Sequence, residues 1–315
     1  MVDILTDMSV IGWLMEGDPA IRWQVMKDLT DAPADQVESE RSRVASTGWG
    51  GRLLELQAED GQWGGGAYSP KWTSTTYTLL LLRHLGVDPT DVREAVAGVR
   101  VAIVMGASRQ PFFSYRGETC ISGMVLALGS YFGADRAASD TVADWLLAEQ
   151  LPDGGWNCRT EDGSRRSSFH TTISVLEGLL EHERSTGTPS RDARSLAEHY
   201  LLERKLLRRL STGEVVNPKW RLFSFPPRWH YDVLRGLDYL REAAVAPDPR
   251  AAEAIGLVEK KRSKDGRWRL QNHHRGREHF QMEEGSGKPS RWNTLRALRV
   301  LRWYGHGGSD GDESA

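Results

Sequence analysis

Residues 150–172 read QLPDGGWNCRTEDGSRRSSFHTT. The segment closes one amphipathic helix with a Gln, an Asp-Gly-Gly turn and a Trp, and carries one of the chain's two cysteines. It then sets His170 on the first turn of a second, apolar helix. Its first half recurs. Gln57-x-x-Asp60-Gly-x-Trp63, Gln150-x-x-Asp153-Gly-x-Trp156 and Arg262-x-x-Asp265-Gly-x-Trp268 each follow a helix, and such recurrence marks a fold assembled from one repeated unit. Gly supplies the left-handed turn that ends a helix, and Trp packs between neighbouring hairpins. These motifs are staples and have no catalytic part.

Outward from this segment nearly every stretch has helical periodicity, and strand-like alternation is absent. Helices are expected over 3–16, 19–30, 34–45, a stretch ending near 57, 73–85, 90–105, 119–132, 138–150, 168–184, 191–210, 227–243, 249–262 and 290–304. One class is apolar almost all round (73–85, 119–132, 168–180, 228–240, 290–304 and the shorter 19–30); the other is amphipathic and charged. Helices apolar on most faces belong inside, and amphipathic ones outside. An all-α, double-ring toroid of six inner and six outer helices, with 3–16 closing the outer ring, satisfies both. It forms one domain over 1–305, and the small, acidic 306–315 is expected to be a disordered tail.

The chain has 315 residues, 39% of them hydrophobic, with 12 Trp and a net charge of −2. Near-neutral charge gives no sign of a nucleic-acid partner. No basic-then-apolar leader opens the sequence and no apolar run is long enough for a transmembrane segment. Two cysteines make no disulfide framework, so a reduced, cytoplasmic protein with thiols available for metal or catalysis is expected.

The Gln-x-x-Asp-Gly-x-Trp repeats between alternating helices resemble those of the squalene and oxidosqualene cyclases and of protein prenyltransferase β-subunits. The resemblance implies the α/α toroid over nearly the whole chain, and an enzyme of the terpenoid cyclase or prenyltransferase kind. In such a ring the inner helices run parallel and their N-termini share one mouth. Arg22, Lys71, Arg116, Arg228, Lys288 and Arg291 lie there with Trp72, Tyr115, Trp229, Tyr231 and Trp292. Cations at helix N-termini cost about 0.3–1 kcal/mol each, so their presence points to an anionic ligand, and a diphosphate on a hydrophobic substrate fits.

Glu118, Cys120, Cys158, His170 and His230 form a soft N/S donor set at the same mouth, suited to zinc. Prenyltransferase β-subunits hold zinc on an Asp-x-Cys and a His one repeat later. Glu118-x-Cys120 and Phe169-His170-Thr171 are similar to these, with Glu in place of Asp and Cys158 as an extra thiol, and the resemblance implies Glu118, Cys120 and His170 as ligands. The catalytic set expected is Cys120, His170, His230 and Asp232. The paired-acid Asp-x-Asp-Asp motif of class II cyclases is absent from the sequence, which speaks against a hopene-type cyclase. Cys158 is better explained by zinc-dependent thiol addition to a peptide or protein substrate, as in the lanthionine cyclases, which use a similar toroid. A non-catalytic lipid or diphosphate binder is the remaining reading. The polar loop 272–288 is expected to be a lid bringing His279 and Glu283 over the mouth.

Overall fold

The computed structural model describes residues 8–160 and 162–306. Its thirteen α-helices are α1 (Met8–Met15), α2 (Pro19–Asp28), α3 (Ala34–Ser42), α4 (Gly48–Leu54), α5 (Thr75–Leu85), α6 (Arg93–Ala102) and α7 (Thr119–Tyr131). After these come α8 (Arg136–Ala148), α9 (Phe169–Thr186), α10 (Arg191–Glu203), α11 (Val233–Glu242), α12 (Ala252–Lys260) and α13 (Arg291–His306). Helices α5 and α7 are buried along almost their whole length, and α9 is largely buried as far as His182.

Hydrogen bonds between successive inner helices close the ring. Trp23 of α2 donates to Leu85 O at the end of α5 (2.9 Å). Arg235 of α11 grips Glu177 of α9 through two bonds (2.8 and 2.7 Å). Arg296 of α13 donates to Asp238 of α11 (3.2 Å), and Arg299 of α13 returns to Gln24 of α2 (2.7 Å). Between α7 and α9 there is no side chain to spare: a Cβ on Gly178 would stand 2.5 Å from Gly123 O, and one on Gly123 would stand 2.7 Å from Ser174 O. Gly178→Ala therefore pushes two backbones apart, and is expected to lower stability by about 1–3 kcal/mol in urea unfolding.

The three staples are superimposable in their bonding. Trp63, Trp156 and Trp268 are fully buried. Each indole donates to the backbone oxygen ten residues earlier: Leu53 (2.7 Å), Leu146 (2.7 Å) and Val258 (2.8 Å). Each backbone N–H donates to a threonine Oγ1 near the start of the following inner helix: Thr75 (3.2 Å), Thr172 (3.0 Å) and Thr294 (3.0 Å). Gly61, Gly154 and Gly266 hold φ of +79°, +93° and +77°, where only a residue without Cβ is unstrained. Each motif thus ties the end of an outer helix to the start of an inner one.

Three expectations need correction. The stretch 227–243 is helical only from Val233, because Pro226 and Pro227 break it and Asp232 caps it, accepting from Arg235 N (2.9 Å). The helix expected over 191–210 stops at Glu203. A two-residue hairpin, β1 (Val104–Met105) with β2 (Gln110–Pro111), leads into α7, so strand is not wholly absent. The expected tail lies outside the described residues apart from its first residue, His306, which ends α13.

Residues 222–231 cross the ring. Phe223 O accepts from Gln271 N (3.0 Å), Ser224 O from Arg296 (3.1 Å), and Phe225 stacks on Trp292 at 4.3 Å. Phe225 lines a cavity on each side, one towards the helix N-termini and one towards their C-termini.

Candidate functional site at the N-terminal mouth

Glu118 occupies the cap position of α7 and Cys120 lies in its first turn. Cys158 arrives from the loop two residues beyond the Trp156 staple, its N–H donating to Thr171 Oγ1 of α9 (3.3 Å). The ligand atoms of Glu118, Cys120 and Cys158 lie within 4.8 Å of one another. The thiol of Cys120 is set against that of Cys158 in a hydrogen bond. That bond and burial push Cys120 well above the usual thiol range, while the same bond draws Cys158 down to about 6. Zinc bonds of about 2.3 Å to sulfur and 2.0–2.2 Å to oxygen put tetrahedral ligand atoms within 4 Å of one another, so the trio fits the ion after a small contraction. A dication held there would favour loss of both protons.

The structure does not bring His170 and His230 into this trio. Nδ1 of His170 accepts the Tyr231 backbone N–H (2.8 Å), and its ring packs 5.1 Å from Trp229 and 5.5 Å from Trp220. His230 is stacked between Trp229 (3.8 Å) and His274 (3.9 Å). Burial holds His170 down at about 4 and, with the neighbouring His274, His230 at about 3, so both are neutral at neutral pH.

Of the six mouth cations, the structure gathers Lys71 and Arg228. Both sit over the Trp72 ring, at 5.7 and 5.5 Å, and Lys71 also sits 5.5 Å from Trp229. Arg228 is buried and paired with Glu278 (2.7 Å). The others lie apart. Arg22 pairs with Glu40 (2.5 Å), Arg291 covers Trp13 at 4.5 Å, and Lys288 and Arg116 are exposed. Tyr115 is buried, Tyr231 donates to Leu206 O (2.6 Å), and Trp292 belongs to the Phe225 stack. Asp232 is buried, with its oxygens taken by Ser224 and Arg235 N.

The loop 272–288 does lie over the mouth. Trp72 Nε1 donates to His274 O and Arg275 O (3.0 Å each), and His279 is 2.9 Å from Thr78 Oγ1. A Cβ on Gly276 would meet the Trp72 indole at 2.4 Å, so only glycine allows this approach. Between loop and ring lies a cavity of about 430 Å³ walled by Leu53, Trp72, Leu81, Phe225, Phe280 and Met282, with Arg228, its partner Glu278 and Glu283 as its charged members.

Burial raises Glu283 to about 7 although Ser290 Oγ (2.8 Å) and Trp292 N (3.2 Å) donate to it. Its folded pKa lies above its unfolded value, so its contribution is complete below about 4.5 and lost as pH rises through 7. Glu283→Gln keeps both bonds, and the variant is expected to gain stability relative to the parent from pH 5 to 8, read from urea midpoints at each pH.

Tyr68 and Glu278 carried no signal in the sequence, Tyr77 only that of its neighbours, and His274, expected in solvent on the polar loop, is stacked on His230 instead (3.9 Å). Tyr77 stacks edge-on to Trp72 (4.7 Å) and packs on Tyr68 (5.2 Å). Burial raises Tyr68 to about 12, with Cys120, Glu118 and Cys158 adding to it, and the Trp72–Tyr77–Tyr68 ring contacts run from the cavity wall towards these groups. Tyr77 follows the Lys71-Trp72 pair in sequence, which is the signal that could have found it.

No protein-family model and no curated protein matches the chain. Among solved structures, it is similar to a protein from Actinoplanes, with 16% identity over 92% of this chain and 90% of that one and a TM-score of 0.44. It is also similar to the type II terpene cyclase MstE from Scytonema without ligand, with 17% identity over 96% and 98% and a TM-score of 0.45. A variant of that cyclase in complex with geranylgeranyl dihydroxybenzoate has 16% identity over 95% of each chain and a TM-score of 0.43. With TM-scores below 0.5, these likenesses leave the chemistry to be argued from the residues of the mouth.

Proposed function

We propose that this chain is an enzyme of the α/α-toroid kind in which Glu118, Cys120 and Cys158 hold a zinc ion beside a cavity for a hydrophobic substrate of isoprenoid size. The observation that carries the reading is the convergence of three ligand atoms, from two separate segments, within 4.8 Å at a helix start. Three protein ligands would leave a fourth position for substrate, where zinc would supply Lewis acidity or hold a nucleophile. Trp72, Leu81, Phe225 and Phe280 would exclude water from the apolar part of the substrate. Lys71 and Arg228 would hold an anionic head such as a diphosphate against Trp72. Glu283 can give or take a proton near neutral pH. Available thiols suit a reducing, cytoplasmic setting.

The second thiol favours one further reading, zinc-dependent addition of a peptide or protein thiol, since a Cys/Cys donor set makes a bound thiolate more nucleophilic. One experiment addresses both. The zinc-loaded protein is incubated with farnesyl diphosphate and glutathione, following diphosphate release and thiol consumption separately. Release of diphosphate supports transfer, and thiol loss with a dehydroalanine peptide in place of the diphosphate supports addition. Turnover that survives chelation and Cys120→Ala would contradict a zinc role in either.

A further inference from the structure

The second cavity, about 530 Å³, opens among the C-terminal halves of α2, α5, α9 and α11, on the far side of the Phe225–Trp292 stack, and the mouth chemistry makes no use of it. Its lining holds eight Lys or Arg against five Asp or Glu. Half of the cations are committed: Arg83 to Glu181 (2.7 Å), Arg235 to Glu177 (2.7 Å), Arg299 to Asp28 (2.5 Å) and Arg184 to Glu242 (2.8 Å). Helix C-termini, which carry partial negative charge, take up part of the rest: Arg41 donates to Gly86 O (3.0 Å) and also faces Asp88 (3.4 Å), and Arg184 donates to Glu242 O.

Lys27, Arg241 and Arg296 are left over, and Arg299 is only partly satisfied by Asp28. Arg241 and Arg296 share the single carboxylate of Asp238 (3.0 and 3.2 Å). Lys27, at the rim, has only the face of Trp23 at 5.9 Å. Arg299 is 8% exposed and its Nε has no partner. The surrounding acids register this excess: burial alone would raise Asp238, yet Arg241, Arg296 and Arg299 hold it at about 2, and Glu177 and Glu242 are likewise held below the usual range by neighbouring arginines despite burial.

We propose that this cavity is a second binding site, for a multivalent phosphate-type oxyanion, set between Lys27, Arg241, Arg296 and Arg299. Guanidinium forks pair in bidentate fashion with phosphate oxygens, and the low-dielectric wall strengthens each bond. The volume exceeds a lone phosphate, so the anion can be either a free polyphosphate or the head of a phosphorylated organic molecule lying along Trp23 and Tyr239.

The test is calorimetric titration of the whole protein at low salt with inorganic pyrophosphate, and with phenyl phosphate to separate the two sources. In the Lys71→Gln background, which removes the mouth's own hold on a diphosphate, saturable binding is expected, weakened roughly tenfold by Arg241→Gln and by Lys27→Gln. Asp238 keeps Arg296 when Arg241 is replaced, and Lys27 is exposed, so both variants should fold; circular dichroism checks this. Absence of saturable binding would overturn the proposal. So would binding that Lys71→Gln removes and Lys27→Gln leaves intact. Neither outcome depends on zinc at the mouth, so this site and the mouth reading stand or fall separately.

Discussion

Cys120→Ala is expected to bind zinc roughly 100-fold more weakly than the parent while the helical ring stays folded. Cys120 is only partly buried and its thiol partner is the loop residue Cys158, so alanine removes a ligand without removing a bond between helices. Cys158→Ala should do the same. His170→Ala should leave zinc content unchanged, because His170 spends its Nδ1 on Tyr231 N and stands outside the trio. Elemental mass spectrometry of untagged protein reads all three variants. Equal zinc loss in the histidine variant would restore the ligand set implied by prenyltransferases and remove the trio as the site.

The largest stability effect is expected at a staple. Trp156→Ala empties a fully buried indole site and strips Leu146 O of its donor. Large-to-small changes of this kind cost about 3–5 kcal/mol. Trp156→Phe keeps most of the volume and loses the 2.7 Å bond, so about 1–3 kcal/mol is expected. Urea unfolding gives both values. If Trp63→Ala and Trp268→Ala match Trp156→Ala, the three copies are equivalent staples; a cost below about 1 kcal/mol at any of them would mean that its hairpins hold without it.

Why was the ring legible and the site only half so? Apolar periodicity and the Gln-x-x-Asp-Gly-x-Trp copies are local signals, and a fold made by stacking one unit can be read from them. Glu118 and Cys120 are likewise fixed by the start of one helix. The fate of the mouth cations depended instead on partners far away in sequence. Glu40 claims Arg22 and Glu278 claims Arg228, and neither pairing follows from a pattern near the arginine. The register of Arg228–Tyr231 also slipped, because Pro226 and Pro227 delay α11 to Val233 and leave these residues in the crossing segment.

The far cavity had a sequence signal that periodicity hid. Arg296, Arg299 and Arg302 recur every third residue in an otherwise apolar helix, and arginines on a buried helix must find acids or a ligand. The apolar class assignment of 290–304 passed over them. The same helix carries Trp292 into the stack that separates the two cavities.

The claim on which the mouth reading depends is that one metal ion sits between Glu118, Cys120 and Cys158. Cobalt(II) substitution tests it most directly, because thiolate ligation gives an intense near-ultraviolet charge-transfer band and tetrahedral geometry gives strong visible bands. The account predicts one cobalt per chain, the charge-transfer intensity of two thiolates, and about half that intensity in Cys158→Ala at saturating cobalt. Weak octahedral bands with no thiolate charge transfer, or a spectrum unchanged in Cys120→Ala and Cys158→Ala, would contradict it.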